Sequence, residues 1–138
     1  MYEPIRTKSV HSTVDGPHPD FPHRSREEEL DIQLAGHLAA LLAVTDELRA
    51  LEGSSDLDTA AERLAEQVGR LRGGTAPARV TGTRRERNAA ALHRRAHALA
   101  GRALVVAASR ADTAAAILAA ERMDAHAAAL EPRALASR

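Results

Sequence analysis

Histidine and arginine are the residues through which this 138-residue chain could do chemistry. There are seven histidines, no cysteine and no tryptophan. His93 and His97 stand four positions apart, so on a helix they share a face and could hold one metal ion. The residues between them, Arg94-Arg95-Ala96, supply no glutamate, so the zinc-protease helix motif is absent. Two adjacent arginines also repel a cation. The expected role of the pair is a polar helix flank, with no bound metal and no cofactor.

His37 falls within a leucine row, Leu30, Leu34, Leu41 and Leu48. An imidazole on an apolar face needs a hydrogen-bond partner. A carboxylate or a backbone carbonyl inside the fold is the expected one. The functional alternative is a pH-sensitive or ligand-binding residue facing a pocket. His11, His18 and His23 lie in a proline-rich stretch, and their spacing matches no ligand pattern.

The densest charged feature is basic. Arg84, Arg85, Arg87, Arg94, Arg95 and Arg102 crowd one segment together with His93 and His97. Cations at a helix start oppose the helix dipole and call for a nearby anion. Glu27–Glu29, Glu47, Glu52, Glu62 and Glu66 are candidates within the chain. A phosphate, from nucleic acid or a nucleotide, is the alternative. No aromatic residue interleaves the arginines, so stacking on bases is not available there.

Catalytic signatures are missing. Without cysteine a nucleophile would be Ser or Thr, and Ser54, Ser55, Ser109 and Thr83 read better as caps or turn residues. Gly73-Gly74-Thr75 lacks the lysine of a phosphate-binding loop. A di-iron bundle needs a Glu-x-x-His repeat, and the chain has none. The expectation is a protein that is not an enzyme.

The elements that must position these side chains are helices. Alanine fills 31 positions and leucine 16, while the two aromatics, Tyr2 and Phe21, sit near the start. This composition disfavours a β-sandwich or barrel. Ser25 with Glu28 forms a capping box, and Glu27–Glu29 suit a helix N-terminus. Leu30, Leu34, Leu38, Leu41, Thr45 and Leu48 follow as one stripe, and Gly53 is the expected C-terminal cap. A second helix opens near Ser55 or Asp56 with Leu57, Ala61, Leu64, Val68 and Leu71 in heptad spacing, and Gly73-Gly74 stops it. The short link makes the two helices antiparallel. Residues 73–83 read as a linker.

A third helix is expected after Thr83, capped through Glu86, with Ala89, Leu92, Ala96, Leu99, Ala103 and Val106 on one face. Apolar residues run from Ala103 to Ala108, which suggests a centrally buried segment. Two readings follow at Ser109-Arg110-Ala111-Asp112. Ser109 caps a fourth helix with Asp112 as its third-position acid, or one helix runs on to Glu131. The first is the more compact solution; the second, a rod of roughly 70 Å, would need a partner for its far end.

The fold expected is therefore all-α, an antiparallel helical bundle of three to four helices. Residues 1–24 read as a disordered or loosely draped tail, 25–131 as the bundle and 132–138 as a C-terminal tail. Formal net charge is zero, but residues 1–72 carry eight basic and fourteen acidic residues, and 73–138 carry eleven and five. Such a chain presents an acidic and a basic face. No membrane span and no targeting segment is visible, so the cytoplasm is the expected compartment. High Ala and Arg with one lysine suits a GC-rich bacterial genome. A small bundle with few large side chains is marginal alone, so the expected function is structural or protein-interacting, as a homodimer through the third and fourth helices. The alternatives are a nucleic-acid-associated protein using the arginine cluster, an acidic protein as partner, and a metal- or ligand-binding bundle around His37, His93 and His97.

Overall fold

Ser25 begins the first helix by reciprocal bonding: its hydroxyl accepts from the Glu28 amide (3.1 Å), and the Glu28 carboxylate accepts from the Ser25 amide (2.9 Å). A computed structural model describes residues 25–79 and 88–131. They form four helices: α1 Arg26–Leu51, α2 Ser55–Leu71, α3 Ala89–Arg110 and α4 Thr113–Leu130. Every residue of the α1 stripe is buried, including Thr45, whose hydroxyl donates to the Leu41 carbonyl at 2.8 Å. From α2, Leu57, Ala61, Leu64 and Val68 join the same interior, while Leu71 is half-buried. No strand occurs among the described residues.

The helices pack as a ring in the order α1, α2, α4, α3, with α2 and α4 meeting most thinly. Ion pairs show the directions. Arg110 at the end of α3 meets Asp31 near the start of α1 (3.1 Å), and Arg70 at the end of α2 meets Asp112 at the start of α4 (2.9 Å). Arg49 near the end of α1 meets Asp58 near the start of α2 (2.8 Å). All four sides of the ring are thus antiparallel, and α2 and α3 run parallel across the diagonal. The chain must therefore travel the length of the bundle between α2 and α3. It starts with Gly73 and Gly74 at φ +72° and +96°, left-handed values that glycine adopts without a Cβ clash. It is then anchored by Arg79, which grips buried Asp46 with two bonds of 2.7 and 2.9 Å.

The structure corrects several sequence readings. The link between α1 and α2 does not use a left-handed Gly53; Glu52 is an extended C-cap, and Ser54 caps α2 by accepting from the Leu57 amide. The proposed Thr83–Glu86 box lies outside the described residues, and α3 has its own cap at Asn88, whose side chain accepts from the Ala91 amide. The chain turns between α3 and α4, so the four-helix reading holds, but Ser109 is not the cap. Its hydroxyl donates to the Val105 carbonyl (3.0 Å) inside α3. Ala111 takes the left-handed conformation at φ 60°, the Asp112 amide donates to Ala107 O (2.8 Å), and Asp112 itself caps α4 through Ala115 N (3.1 Å). The Ala103–Ala108 run is not buried all round: Val105 is 66% exposed, because α3 borders solvent on the side away from α1 and α4. The tail readings for 1–24 and 132–138 fall outside the described residues. Among the described residues, no helix is long and apolar enough to cross a membrane.

Candidate functional site

At the end of the bundle where α1 finishes and α3 begins, polar side chains are buried beside Leu48, Leu57 and Leu92. On α4 the positions facing inward are Ala115, Leu118, Ala119, Arg122 and His126, a helical spacing that puts a guanidinium and an imidazole on the buried stripe. His126 is wholly buried and Arg122 is 4% exposed. On α3, His93 sits one position after the Leu92–Ala96–Leu99 row and is also buried.

These side chains form one continuous chain of contacts. Arg122 Nη1 donates to Asp56 at 3.1 Å and Nη2 reaches His126 Nε2 at 3.3 Å. His126 Nδ1 lies 2.9 Å from His93 Nδ1, and His93 Nε2 lies 3.1 Å from Glu52 Oε1. The two rings are tilted by 47° with centroids 5.1 Å apart. Each helix contributes: Glu52 caps α1, Asp56 opens α2, His93 comes from α3, and Arg122 and His126 come from α4.

The donors assign the protons. Arg122 can only donate, so His126 Nε2 accepts and its proton resides on Nδ1. That proton is donated to His93 Nδ1, which leaves the His93 proton on Nε2, donated to the Glu52 carboxylate. With both rings neutral every contact is attractive, and no other tautomer pair achieves this. Burial, reinforced by the Arg122 charge and by His93, pushes His126 from 6.5 down to about 3. The Nε of Arg122 has no partner among the described residues.

The structure places the sequence candidates differently from one another. His93 is buried but does not act as a pair with His97; it faces His126 across the α3–α4 boundary, and both its ring nitrogens are engaged. His97 is half-buried next to that site and perturbs His126 only through space. His37 is half-buried on α1 and has no hydrogen-bond partner among the described residues, so the expected carboxylate or carbonyl partner is not found there. No group of three or more potential ligands capable of holding a metal ion occurs among the described residues. Arg94, Arg95 and Arg102 are exposed and form no ion pair with a described residue, while Arg84, Arg85 and Arg87 lie outside them. Of the acids expected to neutralise this cluster, Glu52 is used, but by His93.

Sequence reasoning missed His126, Arg122 and Asp56. The available signal was Arg122 and His126 four residues apart, in step with Leu118. It was weak because alanine occupies both the buried and the exposed faces of α4, so the helix shows little apolar contrast.

Comparison with protein-family models, with curated proteins and with solved structures finds no match.

Proposed function

We propose that the protein is a small helical interaction module, working in the cytoplasm, that pairs with a second copy of itself through the outer face of the α3–α4 hairpin. The observation that carries this reading is the position of Val105 and Ile117, 66% and 54% exposed. They stand the same number of residues before and after Ala111, so they lie at one level on adjacent antiparallel helices.

Charge supports the same face. The outward side of α3 carries Arg94 and Arg102, and α3 contains no acidic residue. The exposed side of α4 carries Asp124 and Glu121, the latter 3.6 Å from Arg63 of α2, while its one arginine is turned inward to Asp56. A two-fold axis parallel to the helices sets α3 of one copy over α4 of the other, antiparallel and at equal height. Val105 then meets Ile117 of the second copy, and Arg102 meets its Glu121 in competition with Arg63, each contact made twice. A two-fold axis perpendicular to the helices would instead oppose arginine to arginine. The face measures ~33 Å along the 22 residues of α3 by ~20 Å, so about 1,200 Å² would be covered on both copies, which reaches the range of specific interfaces.

Sedimentation equilibrium at micromolar concentration tests this. The expected result is a dimer that Arg102→Glu or Glu121→Arg weakens at least tenfold and that the double exchange restores. A compact monomer overturns it. A second reading, phosphate contact, draws on Arg94, Arg95 and Arg102 being exposed without described acidic partners. Salt-sensitive retardation of DNA by a monomeric protein would favour it.

A further inference from the structure

We propose that the Glu52–His93–His126–Arg122–Asp56 chain is a proton-operated latch, closed while both histidines are neutral, whose protonation in mild acid releases the C-terminal half of α4 from the bundle. The latch stands whether or not the chain pairs with itself.

Two geometric facts carry it. The first is that the chain has no place for an additional proton. A proton on His126 Nε2 turns that nitrogen into a donor facing the Arg122 guanidinium at 3.3 Å. A proton on His93 Nδ1 sets two N–H groups against each other across 2.9 Å. Either one replaces an attractive contact by a repulsive one within a buried site, and shifting the tautomers only moves the conflict along the chain to Arg122. The second is what else holds α4 there. Its buried apolar residues, Ala115, Leu118 and Ala119, all lie in its first half. Beyond them the buried residues are Arg122 and His126, and Ala127, Ala128 and Ala129 are exposed. Half-buried Met123, against Gly101, together with Ala125 and Leu130, supplies the apolar contact of this half. Breaking the polar chain therefore removes most of what docks it.

The charges facing the histidines come from every helix around them. Glu52 of α1, Asp56 of α2 and Glu131 at the end of α4 are acidic, Arg122 of α4 is basic, and His97 and Arg94 of α3 flank His93. Glu52 and Asp56 favour a proton, but each is already committed, to His93 and to Arg122. Asp56 is 66% exposed at its side chain, so its pull is screened by water, whereas Arg122 adjoins His126 inside the protein. The depressed basicity of His126 agrees with this balance.

The chain is open to solvent at one end. A cleft of about 420 Å³ lined by Glu52, Ala89, His93, Leu130 and Glu131 opens at its Glu52 end.

Residue-resolved hydrogen exchange on the full chain between pH 7.5 and 4.5, corrected for intrinsic rates, tests the latch. The expected result is that the opening equilibrium of amides in 122–130 rises by about tenfold per pH unit below 6.5, while amides in the middle of α1 and α2 respond far less. In His93→Leu/His126→Leu the rise should be absent. Protection of 122–130 that stays level with pH in the unmodified protein overturns the proposal, even if the double variant does not fold. A rise of the same size throughout all four helices also overturns it, because that is global acid unfolding without a latch.

Discussion

In its first half α4 buries Ala115, Leu118 and Ala119, and in its second half it buries Arg122 and His126. The two halves belong to one helix and pack on the same neighbour, α3, yet they are held by different forces. The first half sits on the leucine interior and is closed by a tight turn, where Asp112 caps α4 and receives Arg70. Its stability is apolar burial plus local capping. The second half is held by directed contacts between groups that each have one acceptable protonation state. Apolar burial is indifferent to pH and tolerant of small shifts. A hydrogen-bonded chain is neither, since one misplaced proton disrupts all its members. An alanine-rich helix buries little area per residue, so a polar chain can dominate one end of it.

The largest expected effect lies in the apolar region. Leu38→Ala, at a wholly buried site on α1, should cost about 3 kcal/mol in urea unfolding at pH 7.5 and leave the pH dependence unchanged. Next comes the pH response of the polar end. His126 is held neutral with its value lowered to about 3, whereas the unfolded chain takes up a proton near 6.5. Stability is therefore full above 6.5 and falls as pH drops toward 3, by about 1.4 kcal/mol per unit, or some 2–3 kcal/mol by pH 4.5. His126→Leu should flatten unfolding free energy over this window; an unchanged slope would remove the distinction between the two halves.

Asp112→Ala should cost about 1–2 kcal/mol, from the lost cap and the lost Arg70 contact. Burial pushes the Asp112 carboxyl up, but the bonds from Arg70 and the Ala115 amide outweigh it and lower its value below the ordinary 3.8. Its contribution is thus present above that pH and lost only in stronger acid, so the two halves should titrate in separate windows. The smallest effect is a gain. Ala111 occupies a left-handed conformation at φ 60°, and Ala111→Gly should raise stability by about 1 kcal/mol. A loss on thermal unfolding would mean that the turn is held by more than its backbone geometry.

The parts of the fold that were legible in the sequence are those where residue type and burial coincide. Ser25 and Glu28 announced the start of α1, and the leucine row through Leu48 described most of its buried face, although Leu42 and Val44, outside that row, are buried as well. The bundle class and the seam of α2 followed from the same contrast. The α3–α4 turn was not marked, because Ala111 stands where glycine or asparagine would normally signal a left-handed residue. The apolar run to Ala108 misled because an uncharged stretch need not be covered, and Val105 faces solvent. His93 was noticed, but it was paired with its neighbour along the helix. Its true partner, 33 residues away, depends on how α3 and α4 face each other, which local spacing does not encode.

The contrast between the two halves of α4 depends on a single proton arrangement of the His93–His126 pair. Histidine ring nitrogen NMR at pH 7.5 tests it directly. Opposite tautomers are expected, with the proton on Nδ1 in His126 and on Nε2 in His93. Finding both rings in the Nε2–H form, or either ring doubly protonated at that pH, would contradict it.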